Sequence, residues 1–227
     1  MQRSELFERY QQAQALLAEG ELQQAAELCQ TILNADLKFA HGYQLMSSLF
    51  RTTGDFDRAL ELIERALALQ PREALFHFQK GQLLFALGRF APSVESLSAA
   101  HALDPTHTLT VLLLADGYAQ LSQFDEAERL FRRARAMQDL PEIDEHEGLC
   151  LLMKGDLATA ELMFDRVIAR QPDYAGGYAH KGRVLLFRKH YDRAEPLFEK
   201  ALSLNPQTVE AQHGLALIHE SRAGNAA

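Results

Sequence analysis

Nine histidines and two cysteines are the residues of this 227-residue chain whose chemistry could bind a metal or drive a nucleophilic reaction. Two metal ligands on one helix need a separation of four, so that both project from the same face. His101 and His107 are six apart, as are His213 and His219, which turns each pair onto different faces. The chain contains no His-Glu-x-x-His, no paired Cys-x-x-Cys and no glycine-rich phosphate loop. A serine nucleophile would be announced by a Gly-x-Ser-x-Gly elbow, which is also absent. Acidic pairs such as Glu142 and Glu145 could move protons only inside a pocket, and a solvated helix face suits them better. Cys29 and Cys150 lie more than a hundred residues apart at positions where the pattern calls for burial. They read as small core hydrophobes and not as a disulfide. These residues point away from an enzyme, and no cofactor or metal is expected.

The elements that would position any site announce themselves by repetition. Gly54-Asp55-Phe56-Asp57-Arg58-Ala59 returns as Gly88-Arg89-Phe90, as Ser122-Gln123-Phe124-Asp125-Glu126-Ala127, as Gly155-Asp156-Leu157 and as Lys189-His190-Tyr191-Asp192-Arg193-Ala194. Gly20-Glu21-Leu22 is an earlier copy. The marker positions 20, 54, 88, 122, 155 and 189 are 34, 34, 34, 33 and 34 residues apart. A fixed period of this size means stacked supersecondary units. Inside each unit the apolar residues recur at helical spacing: Tyr43, Met46, Leu49 and Phe50 form one stripe, and Ala59, Leu62, Ile63 and Ala66 another. Gly54 stands between them, which makes the unit a helical hairpin. Pro71, Pro105, Pro172 and Pro206 close four units.

Small residues occupy the middle of each first helix: Ala13, Ser47, Gly81, Ala115, Gly148 and Gly182. A glycine inside a helix costs about 1 kcal/mol against alanine, so close approach of the second helix is the expected reason. Ala25, Ala59, Ser93, Ala127, Ala160 and Ala194 should meet them there. Leu22, Phe56, Phe90, Phe124, Leu157 and Tyr191 head the second helices and should plug the space between. Asp125 with Glu128, and Asp192 with Glu195, read as N-caps with a reciprocal acid three positions on. Pro92 suits a first turn. Pro196, counted from Asp192, falls at the fourth helical position, where its missing N–H has no partner to lose.

The order small–Gly–aromatic–Ala–large–Ala–Pro resembles the tetratricopeptide repeat. Tyr43, Met46, Ser47, Phe50, Gly54, Phe56, Ala59, Ile63, Ala66 and Pro71 are the best single match. The resemblance implies an all-α, right-handed α-solenoid of helix-turn-helix repeats, a single superhelix over 1–227. Its repeats should lie near 6–39, 40–73, 74–107, 108–140, 141–174 and 175–208, with a C-terminal capping helix over 209–222. Leu37 and Asp139 replace the closing proline, and Ser122 and Lys189 replace the turn glycine. No unit has the tryptophan that the family favours. The short junction Met137 to Pro141 should alter the pitch locally.

In proteins similar to this one the first helices line a groove that holds a peptide. Carried onto this sequence, the groove positions are Tyr10 and Gln14, then Gln44, Ser48 and Arg51, then Phe78, Gln82 and Phe85. Leu112 and Asp116, then Glu145, Leu149 and Met153, and finally Arg183 and Phe187 complete them. The Lys and Asn with which some members clamp a carboxylate are missing, so that activity is not implied. Phe78, Phe85 and Leu112 should form an apolar strip beside Asp116 and Glu145, suited to an amphipathic helix or apolar peptide. Alternatively, they pack against neighbouring helices, one residue of register away.

Composition agrees with an interaction protein. The hydrophobic fraction is 47% and the charged fraction 24%, ordinary for a folded domain. A net charge of −8 without a Lys/Arg stripe argues against nucleic acid. The longest apolar run, Val111 to Ala115, cannot span a membrane. The opening Met-Gln-Arg-Ser-Glu-Leu-Phe-Glu leads straight into an amphipathic pattern with no signal peptide, so a cytoplasmic protein or a fragment of one is expected. The expected function is a scaffold, adaptor or assembly chaperone for a protein or peptide partner. Two rival readings are the substrate-recruiting array of a larger glycosyl- or sulfo-transferase, and a self-assembling structural protein.

Overall fold

The computed structural model describes residues 3–225. Among them the chain forms thirteen helices and no strand, an all-α repeat fold. It divides into two compact units, Met1–Gly117 and Tyr118–Ala227, each with its own core. The first holds α1 (Arg3–Glu19), α2 (Leu22–Ala35), α3 (Ala40–Thr52), α4 (Phe56–Leu69), α5 (Ala74–Ala86), α6 (Phe90–Leu103) and most of α7 (Thr108–Gln120). The second holds α8 (Phe124–Met137), α9 (Pro141–Lys154), α10 (Leu157–Arg170), α11 (Ala175–Phe187), α12 (Tyr191–Leu204) and α13 (Val209–Asn225). Five first helices begin at Ala40, Ala74, Thr108, Pro141 and Ala175, the expected repeat starts. The final helix runs to Asn225, beyond the expected end at 222. Inside each unit consecutive helices pack together, as α3 with α4, α5 with α6 and α9 with α10, and first helices also touch first helices: α1 with α3 in one unit, and α11 with α9 and α13 in the other.

The small residues sit where the hairpin closes. Ala13, Ala115, Ala25, Ala59, Ser93, Ala127, Ala160 and Ala194 are fully enclosed. A β-carbon on Gly148 would stand 2.8 Å from Phe164 Cε1, and one on Gly182 would stand 2.7 Å from Phe198 Cε1. The partner of each glycine is thus a large residue one turn beyond the expected alanine. Serines take a second role at this crossing. Ser47 Oγ donates to the Ala59 carbonyl at 2.7 Å, and Ser93 Oγ to the Gly81 carbonyl at 2.8 Å, tying one helix to the other. Each hydroxyl is thereby satisfied in a dry interface. The expected plugs Phe56, Phe90, Phe124 and Tyr191 are only half-buried.

Three local expectations change. Asp125 and Asp192 are second helical residues, because α8 and α12 start at Phe124 and Tyr191. Their N-caps are Gln123 and His190, without a side-chain cap bond. The capping carboxylates are Asp55 and Asp156, which accept from the backbone N–H of Arg58 and Thr159, each at 3.2 Å. Pro196 is therefore the sixth residue of its helix, not the fourth, and leaves the Asp192 carbonyl without its usual donor. Both residues are exposed, so water can fill that place.

The joints between hairpins carry a device that the proline pattern hides. Asp36, Asp104 and Asn205 each follow a helix, and each accepts, through Oδ1, the backbone N–H two residues on, at 2.8, 2.9 and 3.0 Å. These are Asx-turns that fix the connection. The short junction is held differently. Asp144, 1% exposed, takes Arg135 Nη1 at 2.7 Å and Arg170 Nη1 at 3.1 Å. Arg135 also reaches Glu147, and Arg170 grips Asp139 by side chain and carbonyl. This ionic knot joins α8, α9 and α10 where the connection is shortest.

Candidate functional site

The first helices of each unit present the groove positions, and the two units differ in what they expose. In the first unit Tyr10, Gln44 and Ser48 are buried in a polar ladder. Gln14 Nε2 donates to Tyr10 Oη at 2.8 Å, Tyr10 Oη donates to Gln44 Oε1 at 3.3 Å, and Gln44 Nε2 donates to Ser48 Oγ at 3.3 Å. Tyr10 also lies against Phe39 and His41, with ring centroids 5.9 and 5.6 Å away. Burial pushes its phenol pKa up, against the Gln14 hydrogen bond. The ladder registers α1 on α3. Arg51 and Gln14 are exposed, while Gln82 and Asp116 are half-buried.

The expected apolar strip does not lie open. Phe78 and Leu112 are buried, Phe78 edge-on to His107 at 4.9 Å. Phe85 is half-buried against Phe90 at 5.2 Å. These residues face their own neighbours, because a helix rotated by one register position turns a wall residue into a core residue.

The second unit exposes two of its groove positions, Phe187 and Met153. Phe187 is 63% exposed and Leu217 39%. With Leu186, Arg183, Glu210 and His213 they line an apolar depression of about 370 Å³ on α11, α12 and α13. Met153 is exposed on α9 and receives Gln120 Nε2 at its sulfur, whereas Leu149 packs into the core beside Leu151 and Phe164.

A charged cluster borders this depression. Glu145 Oε1 accepts from Tyr174 Oη at 2.6 Å and faces His180 Nε2 at 3.1 Å. His180 Nδ1 lies 2.7 Å from Glu210 Oε2, and Arg183 Nη1 lies 2.7 Å from Glu210 Oε1. Burial opposes ionisation of Glu145, but hydrogen bonds from His180 and Tyr174 hold its carboxyl below the usual range. Glu210 is likewise held low despite burial, chiefly through His180 and then Arg183. Burial and the Glu145 carboxylate push the Tyr174 phenol up. Of this cluster the sequence reading named Glu145 and Arg183 and missed Tyr174, His180 and Glu210. His180 stands 35 residues after Glu145, close to one repeat, and that arithmetic was the available signal.

Chemically the arrangement can present an apolar seat with a paired cation and anion at its edge. Among the described residues no three His, Cys, Asp or Glu side chains are grouped to hold a metal. Cys29 and Cys150 are both buried and unbridged, and burial pushes the Cys29 thiol up to about 12, which makes it unreactive. No described helix is long and apolar enough to cross a membrane.

Comparison with known proteins agrees with this architecture. A family model described as tetratricopeptide repeat matches residues 45–107, 112–175 and 181–227. A TPR repeat-containing protein of Treponema pallidum is 30% identical over 187 residues, covering 73% of this chain and 22% of its own length. The TPR repeat-containing protein YpiA of Bacillus subtilis is 26% identical over 165 residues, covering 71% of this chain and 39% of its own length. Among solved structures, PilW, described as a widely conserved type IV pilus biogenesis factor, superposes with a TM-score of 0.84 at 21% identity. It covers 95% of this chain and 100% of that one. The chain thus spans well under half the length of these two curated relatives.

Proposed function

Because the chain belongs to the tetratricopeptide-repeat family, we propose that it is an interaction scaffold holding a peptide or amphipathic helix against the first helices of its second unit. The observation that carries this reading is the apolar depression on α11 and α13, where Phe187 and Leu217 stand open to solvent beside the Arg183–Glu210 pair. Aromatic and aliphatic side chains on rigid helices are the usual anchors of an interface, and a few of them carry most of its energy. An apolar anchor flanked by charge is the partner that fits. In this reading the chain holds its partner and performs no catalysis. Buried, unbridged cysteines fit a reducing compartment such as the cytoplasm.

The test is a panel of labelled amphipathic helices and extended apolar peptides, titrated against the full chain by fluorescence anisotropy. Replacing Phe187 and Leu217 together by Ala should weaken the best binder by about tenfold or more, with circular dichroism unchanged. Unchanged affinity would place the binding face elsewhere. A second reading, a recruiting array within a longer protein, is favoured by the small share of the relatives' length that the chain spans. The mass of the protein in its source cell decides it. Self-association through the same face is the remaining use, and light scattering over a concentration series separates it from a monomeric adaptor.

A further inference from the structure

Glu145 on α9, His180 on α11 and Glu210 on α13 form a line across three neighbouring first helices. His180 Nε2 is 3.1 Å from one carboxylate and Nδ1 is 2.7 Å from the other. A carboxylate only accepts, and a neutral imidazole carries a single N–H. A neutral ring donating to Glu145 through Nε2 would turn the Nδ1 lone pair toward the Glu210 carboxylate, so only the imidazolium faces both carboxylates favourably. The Nδ1 contact is bent away from hydrogen-bond geometry, so its attraction is that of one charge for another. The geometry points to a proton-operated clasp: charged His180 holds the first turn of α13 against α11 and α9, and loss of its proton loosens α13. This does not depend on what the depression binds.

The two carboxylates facing the ring favour its charge, and the groups around them keep those carboxylates ionised. From α9 come Glu145 and, beyond it, His146, whose nearness also favours the Glu145 carboxylate. The segment before α11 supplies Tyr174, which donates to Glu145 and remains a neutral phenol. From α10 the uncharged Phe164 ring lies 5.4 Å away. Arg183, on the ring's own helix, holds the second oxygen of Glu210 and keeps that carboxylate ionised. The ring is thus the group in the line that changes charge above the carboxylate range. Glu210 also lies in the first turn of α13, where the helix dipole favours an anion.

Burial opposes the charge on His180, but the hydrogen bond to Glu145 and the attraction of both carboxylates outweigh it and raise the ring's pKa. With a raised folded value, the contribution is complete below the ordinary histidine pKa of about 6.5 and is lost as pH rises through the raised one. The two carboxylates, held low, contribute above their ordinary range, and that contribution is lost as pH falls through their lowered values. The clasp is closed between those limits.

Two measurements on the full chain test it. In a proton NMR titration, with His180 assigned by its loss in His180→Gln, the ring's midpoint should lie above about 6.5. In hydrogen exchange corrected for the intrinsic rate, protection in the first turns of α13 should fall several-fold from about pH 6 to about pH 9. A His180 midpoint at or below the ordinary value, or α13 protection that stays flat, overturns the clasp. Glu210→Gln should lower the midpoint and flatten the pH dependence, and an unchanged titration in that variant would also overturn it. The readings on the unaltered chain stand even if a variant folds poorly.

Discussion

Lys189 holds a turn position that a glycine fills elsewhere in the chain. Its φ is 59° and that of Ser122 is 60°, beside 83° at Gly54 and 87° at Gly155. A left-handed conformation costs an ordinary residue roughly 1–2 kcal/mol, part of which glycine returns through its greater freedom when unfolded. Lys189→Gly should therefore raise stability by about 0.5–1 kcal/mol in urea unfolding, and a lower midpoint would mean that the lysine makes a contact worth more than the strain. Asp144 is the opposite case, a residue whose weight was not legible. It looks like any acid on a helix, yet it is 1% exposed and takes two arginines. Asp144→Asn should cost about 2–3 kcal/mol, because it leaves Arg135 and Arg170 at the junction without their common anion; a change under 0.5 kcal/mol would reduce the knot to a surface pair. The groove positions show the same limit. Repeat arithmetic identified which residues stand on first helices, but Phe78 turned inward and Phe187 outward. One position of helical rotation separates those outcomes, and a period of 34 does not resolve it.

At the scale of the element, far more was readable. Turn markers, closing prolines and two interleaved stripes marked the hairpins, and five first helices begin where the resemblance set the repeat starts. The hairpins were legible because each signal has a separate physical cause and all recur in register. Caps were less legible: Asp55 and Asp156 cap, whereas Asp125 and Asp192 are the second residues of their helices. Composition alone does not separate an N-cap acid from a first-turn acid, since both are favoured near the positive end of the helix. The crossing point was legible from small residues, and it carries the strongest prediction at this scale. A β-carbon on Gly148 would meet Phe164 at 2.8 Å and Met163 Cβ at 3.2 Å, and Phe164 is fully enclosed with no room to move. Gly148→Leu should push α9 from α10 and cost about 1–3 kcal/mol or more. A thermal midpoint within error of the unaltered chain would show that the hairpin closes elsewhere.

Across the molecule, each unit is a stack whose helices meet mainly their neighbours, so stability is lost piece by piece when an end is removed. The second unit makes this testable at α13. Ala211 and Ile218 of that helix are fully buried with Leu185, Ala201 and Phe198, so α13 closes the apolar face of the hairpin before it. It also supplies Glu210 to the charged cluster and Arg222 to Asp192 and Glu195. Removing residues from 208 onward would return Leu185 and Phe198 to water, each worth about 1.5–3 kcal/mol when fully buried. The shortened chain should lose about 3 kcal/mol and show a lower urea midpoint. Exposed apolar surface of this kind also promotes association, so light scattering should detect larger species at concentrations where the full chain remains dispersed. The ion pairs of Arg222 do not decide the result, because they are half-exposed and such pairs are worth under about 1 kcal/mol. Changing Arg222 alone should therefore leave the midpoint nearly unmoved. If the shortened chain stays monomeric and equally stable, α13 is an appendage and the hairpin α11–α12 is closed without it. If Arg222→Ala destabilises as much as the truncation, charge and not apolar burial holds the end of the stack.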